Sequence, residues 1–199
     1  RCALYENYDI ETKKTLCALS LLENFTVEFA EHSTGIRNLK EFLINLSMEN
    51  AFIYLDSKTG TYSIHNVFRS FLISESDKIG IDKKNIYRRA GRWFIERQNL
   101  NQSFYYLYLG EDFESMLKEL EKPEFYIKSA DRPMLFYYFD LLPNDAVSNH
   151  PIAYLKYIHM TTVSGDKKRG SQLLAKFEEE IPRENYTEES RTEIEAAVH

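Results

Sequence analysis

The sequence is poor in the residues that usually announce a mechanism. Cysteine occurs only at Cys2 and Cys17, too far apart for a CxxC pair. Neither a disulfide framework nor a structural zinc is indicated, and a reducing cytoplasm is the compartment inferred. No apolar run approaches the ~18–20 residues needed to cross a bilayer, and the N-terminus lacks a signal-peptide pattern, so no membrane partner is expected. Seven glycines and five prolines in 199 residues suit a mostly helical protein with short connections. Positive charge is also scarce. A formal net charge of −6 argues against a protein built mainly to hold a nucleic-acid backbone.

Catalytic patterns are missing too. There is no Gly-x-Ser-x-Gly and no convincing carboxylate pair, and Glu178 to Glu180 reads as a solvated helix face. His32, His150, His159 and His199 show no His-x-x-x-His spacing, which leaves no expected metal site. Gly165 to Ser171 (GDKKRGS) approaches a P-loop, but the Lys that must follow the second Gly is absent and no strand precedes it. It reads as an inter-helix turn. The chain is not expected to be an enzyme by itself.

What is present centres on Phe52 to Leu72. Phe52 to Leu55 and Thr61 to Ile64 are rich in β-branched and aromatic residues, and Asp56 to Gly60 between them is turn chemistry. The pair reads as a β-hairpin. His65 follows it, and Asn66 is the expected cap of a helix whose apolar positions Val67, Phe68, Phe71 and Leu72 have helical spacing. His65 has two readings: a ligand contact, or a junction histidine satisfied by nearby backbone.

Upstream, residues 9–22 form an expected helix with Ile10, Leu16, Ala18, Leu19 and Leu22 as its apolar stripe. Thr26 caps a short second helix that ends at Gly35, and Ile36, Leu39, Phe42, Leu43 and Leu46 give a third. Helix, short helix, helix, hairpin, helix is the order of a winged-helix domain, here residues 1–80. From Lys83 the pattern is helical throughout, punctuated by Gly110, Asp112, Pro123, Pro133, Pro143, Pro151, Gly165 and Pro182. Residues 81–199 therefore read as α-solenoid, TPR-like helical hairpins without a strict 34-residue register. The last segment, Glu188 to Val198, is helical by composition but polar. Phe104 to Tyr106, Tyr108 and Phe136 to Phe139 are core candidates, with some places open to a ligand groove. The expected fold class is mainly α. The chain starts at Arg1 without an initiator methionine and stops at His199 straight after a helical pattern, so a fragment of a longer protein is expected.

YSIHNVFRSFL (Tyr62 to Leu72) resembles the strand-His-helix signature that closes the winged-helix domain of STAND-type signalling ATPases. The wider match, LKEFLINLSMENAFIYLD (Leu39 to Asp56), the spacing Tyr62, His65, Phe68, and RRAGRWFIERQNLNQSFYYLYLGEDFESM (Arg88 to Met116), resembles MalT-like members of the LuxR group. That resemblance implies an ATP-dependent transcriptional regulator. In the family, the histidine matched by His65 reaches the phosphates of ADP in a preceding nucleotide-binding domain. The site residue implied here is His65, the cofactor ATP or ADP of the full-length protein, and the partner that absent domain. An effector, small molecule or protein, would bind the superhelix, and DNA would be met only by a further C-terminal domain. Asn66 departs from the Asp of the immune-receptor signature, so that residue's role does not transfer.

Two other classes stay open: a helical-repeat scaffold for a protein partner, and a winged helix that binds DNA itself. The second wants a basic recognition helix and wing. Residues 1–80 hold eight Lys or Arg against eleven Asp or Glu, with only Arg37, Lys40 and Lys58 placed suitably.

Overall fold

A computed structural model describes residues 3–49, 52–122 and 131–180. The chain forms two compact units, Arg1–Glu111 and Asp112–His199. The fold is mainly helical, with one small antiparallel sheet in the first unit.

The first unit opens with α1 (Ala3–Glu6) and α2 (Ile10–Ser20). Asp9 caps α2, its Oδ1 accepting from the Thr12 amide at 2.8 Å. Burial on α2 is confined to Leu16 through Ser20, the end packed against the helix after the hairpin. Ile10, expected on the apolar stripe, lies beyond that contact and is 54% exposed. Next come β1 (Asn24–Phe25), α3 (Val27–Thr34) and α4 (Leu39–Glu49). Thr26 Oγ1 accepts from the Phe29 amide, and Gly35 closes α3 with φ 78°. The third helix starts three residues later than its apolar pattern suggests. Asn38 takes a positive φ of 60°, so Ile36 stays in the loop and packs on the core from there. Glu31 on α3 supplies the missing cap, accepting from the Leu39 amide at 2.9 Å.

The hairpin is β2 (Ile53–Asp56) and β3 (Thr61–Ile64), followed by α5 (Asn66–Lys78). Its turn closes through Asp56, which accepts from the Lys58 amide and the Thr59 hydroxyl, and through Gly60 at φ 67°. The sheet has three strands, not the two of a hairpin, in the order β1-β3-β2. Its registers are Asn24↔Ser63 and Phe25↔Tyr62 on one side and Ile53↔Ile64 and Tyr54↔Ser63 on the other. Because strand side chains alternate, Phe25, Ile53, Tyr62 and Ile64 fall on one face and are buried. Asn24, Tyr54 and Ser63 share the opposite face, a polar row spanning all three strands.

The first helical pair, α6 (Lys83–Glu96) and α7 (Leu100–Leu109), belongs to this same unit. Asp82 and Asn99 cap the two helices. Phe29 on α3 meets Trp93, Phe94 and Tyr106 with ring centroids 5.0–6.0 Å apart, so the pair is fixed to the winged-helix core by aromatic packing.

In the second unit α8 (Phe113–Glu121), capped by Asp112, is followed by α9 (Arg132–Leu141), α10 (Asn144–Ser148), α11 (Pro151–Val163) and α12 (Lys167–Glu180). The short α10 has no counterpart in the periodicity. Helix stops expected at Pro123 and Pro182, and the segment from Glu188 to Val198, lie outside the described residues. His150 is buried between two α8 carboxylates, Nε2 2.9 Å from Glu114 and Nδ1 3.0 Å from Glu121. The Lys118 ammonium, and then His150, hold the Glu114 carboxyl down to about 2. Asp140 gathers the Tyr157 hydroxyl and the Arg169 guanidinium. The near-P-loop segment is the α11–α12 turn and the start of α12, where Gly170 faces the Thr162 side chain so closely that a Cβ would collide with it.

Candidate functional site

The polar face of the sheet is closed at one end by the start of α5, and the corner between them is an open concavity of about 460 Å³. His65 sits in that corner. Its amide donates to the Phe52 carbonyl at 2.8 Å, one step past the paired residues of β3, and its own carbonyl receives the Arg69 amide that opens α5. Strand pairing and helix initiation thus fix the same residue from both sides.

Its side chain is the helix cap. Nδ1 accepts from the Val67 amide at 3.4 Å, a long bond. Asn66, the residue expected to cap, is instead the first residue of the helix. The β3 pairing holds His65 in extended backbone with ψ 132°, the conformation a cap residue needs. With Nδ1 used as an acceptor, the neutral ring carries its proton on Nε2. Nε2 has no hydrogen-bond partner among the described residues, and the residue is exposed. The rings of Phe52 and Tyr54 stand 6.3 and 6.5 Å away and limit where the imidazole can swing.

Two charged residues complete the corner. Arg69 follows His65 by one helical turn, on the same face. Its Nε donates to the Ser20 carbonyl at 2.8 Å, which ties the guanidinium to the end of α2. Glu23, beside β1, lines the concavity from the other side. Its Oε1 accepts from the Tyr105 hydroxyl at 3.1 Å and its amide donates to the Tyr106 hydroxyl at 3.3 Å. Burial, with the Glu23 carboxylate adding for Tyr105, pushes both phenols up to about 12. Both hydroxyls are protonated near neutral pH, Tyr105 donating to the Glu23 carboxylate and Tyr106 accepting from the Glu23 amide.

An imidazole N–H, a guanidinium and the positive end of a 13-residue helix in one corner favour an anionic oxygen group arriving from solvent. Sequence reasoning found His65 and missed the rest. Arg69 had a signal, the i, i+4 spacing from His65. Glu23 and Asn24 had none, because the two-residue β1 that brings them there shows no periodicity, while Tyr54 came with the expected hairpin strand β2 but not as a site residue.

The other candidates resolve differently. Phe104 and Tyr106 are buried and Tyr105 is held by Glu23. Phe139 stacks on Tyr157 at 4.0 Å, while Tyr137 is 61% exposed. His32 packs on Trp93 at 4.9 Å. Among the described residues no group of three His, Cys, Asp or Glu could hold a metal, and no helix is long and apolar enough to cross a membrane.

Residues 3–80 match the MalT winged helix domain. No curated protein and no solved structure matches the chain.

Proposed function

We propose that this chain, which carries a MalT winged helix domain at residues 3–80, is the regulatory arm and sensor entry of a cytoplasmic, ATP-dependent transcriptional regulator of the LuxR-type STAND class. His65 contacts the phosphates of ADP held by a nucleotide-binding domain of the same protein, and so favours the closed, resting state. The helices that follow receive the effector, and any DNA contact is made by a further domain. The chain contributes no catalytic group of its own.

One observation carries this reading: the His65 ring is fixed by backbone at Nδ1 and the residue is exposed, in an open corner that it shares with Arg69. A charged hydrogen bond of this type is worth roughly 1.5–3 kcal/mol, and 1.4 kcal/mol is about tenfold in an equilibrium. One histidine is then enough to bias a closed–open balance without forming a nucleotide site alone.

The DNA-binding alternative is disfavoured by the surface of α4. Lys40 and Glu41 offset each other there, and Ile44 and Met48 are exposed beside them, Met48 to 81%. A helix entering a groove against phosphates wants cations at those places. As for an effector, the cavity beside Phe139 holds about 120 Å³, below the ~300 Å³ of ordinary ligand sites, so we assign no ligand there.

The 199-residue chain should bind ADP no more tightly than about a millimolar dissociation constant, since most of the nucleotide's contacts lie in another domain. Isothermal calorimetry checks this. A micromolar constant for the chain alone would overturn the division of labour proposed here.

A further inference from the structure

We infer that Arg69 is the second anion-binding group of this corner, and that Glu23 is its built-in competitor, held away from it by Tyr105. The inference rests on the proposal above that the occupant is a diphosphate.

A guanidinium has five N–H donors in a planar fork. Arg69 spends its Nε on the Ser20 carbonyl, and its two terminal nitrogens have no partner among the described residues. The Ser20 bond fixes the fork's plane, and the half-buried position beside Tyr105 and Tyr106 limits competition from water. Phosphate oxygens are the group such a fork matches, two at a time. His65, one turn earlier, offers a single N–H to the same space.

Glu23 lines that space as well. An exposed carboxylate so near a guanidinium would ordinarily pair with it, and no ion pair joins Glu23 to Arg69 among the described residues. The carboxylate is engaged by the Tyr105 hydroxyl instead, and the neighbouring Tyr106 hydroxyl receives the Glu23 amide. Both tyrosines are on α7, beyond the matched winged-helix residues. The position of α7 therefore decides where Glu23 points. With Tyr105 in place Arg69 is open to a diphosphate; with Tyr105 withdrawn, Glu23 swings onto Arg69 and repels the ligand. A displacement in the helical segment is thereby converted into a change of charge at the anion site.

The test is a titration of the 199-residue chain with inorganic pyrophosphate at low salt, read by NMR at the Arg69 Nε–H and the His65 ring. Wild-type protein should show both signals moving together in the millimolar range. Arg69→Gln should weaken binding roughly tenfold, Glu23→Gln should tighten it several-fold, and Tyr105→Phe should weaken it several-fold. Combining Glu23→Gln with Tyr105→Phe should restore the Glu23→Gln value, because the tyrosine acts only through the carboxylate. Glu23→Gln leaves Arg69 and its Ser20 bond intact, so its effect stands even if Arg69→Gln loosens the fold. No shift at either residue up to about 50 mM pyrophosphate overturns the inference. So does an Arg69→Gln affinity equal to wild type, or a Tyr105→Phe loss that persists without Glu23. If Arg69→Gln weakens binding and His65→Ala does not, the inference holds and the role proposed for His65 fails; the reverse pattern sinks Arg69 and spares His65.

Discussion

Replacing Gly91 by valine should cost the first unit at least about 3 kcal/mol, the upper end of what overpacking a core costs. Gly91 lies inside α6, where α7 crosses it. A Cβ there would come within 2.5 Å of Leu107 Cγ and 3.0 Å of the Leu107 backbone nitrogen. Leu107 is fully buried, so its side chain has nowhere to go, and the backbone contact yields only if the helices part. Helix propensity pulls the other way, since alanine in a helix interior is better than glycine by about 1 kcal/mol. The sign of Gly91→Ala therefore decides between the two effects. Packing should win, with destabilisation by both alanine and valine and a larger loss for valine. A thermal melt should show a drop of more than about 10 °C for Gly91→Val. A raised melting temperature for Gly91→Ala would mean that α6 and α7 do not approach this closely.

Phe29→Ala should cost about 3–5 kcal/mol. The side chain is 4% exposed and is the hub through which α3 meets Trp93, Phe94 and Tyr106. Removing it leaves a cavity at the junction of the winged-helix module with the first helical pair. Trp93 is the only tryptophan in the chain, so its emission reports that junction directly. The expected result is a red shift of Trp93 fluorescence together with a lower midpoint in denaturant. An unchanged midpoint would show that the helical pair is not held to the module by this cluster, and the relay through α7 would lose its rigid support.

The parts of this fold that were legible in the sequence are those fixed by local chemistry. Thr26 and Asp112 cap helices because their side chains satisfy amides three residues on. Asp56 to Gly60 makes the wing turn because a short acceptor and a permissive glycine stand at its two ends. What escaped reading was set by tertiary partners. The start of α4 is decided by a carboxylate eight residues earlier, Glu31. β1 is two residues long and exists because β3 pairs with it. Ile10 is apolar yet exposed, because burial on α2 follows the reach of α5 rather than the stripe. His65 was found as a candidate, while its capping bond and its neighbours Arg69 and Glu23 required the sheet to be assembled first.

In the proposed function the capping imidazole of His65 and the anchored guanidinium of Arg69 meet an anion that arrives at this corner with another domain. The most direct test is the rate at which ADP leaves the protein that carries this chain together with its nucleotide-binding domain, compared between wild type and His65→Ala. Loss of the contact should speed release by about tenfold or more, since such bonds act chiefly on the off-rate. A release rate unchanged by the substitution would contradict the role given to His65.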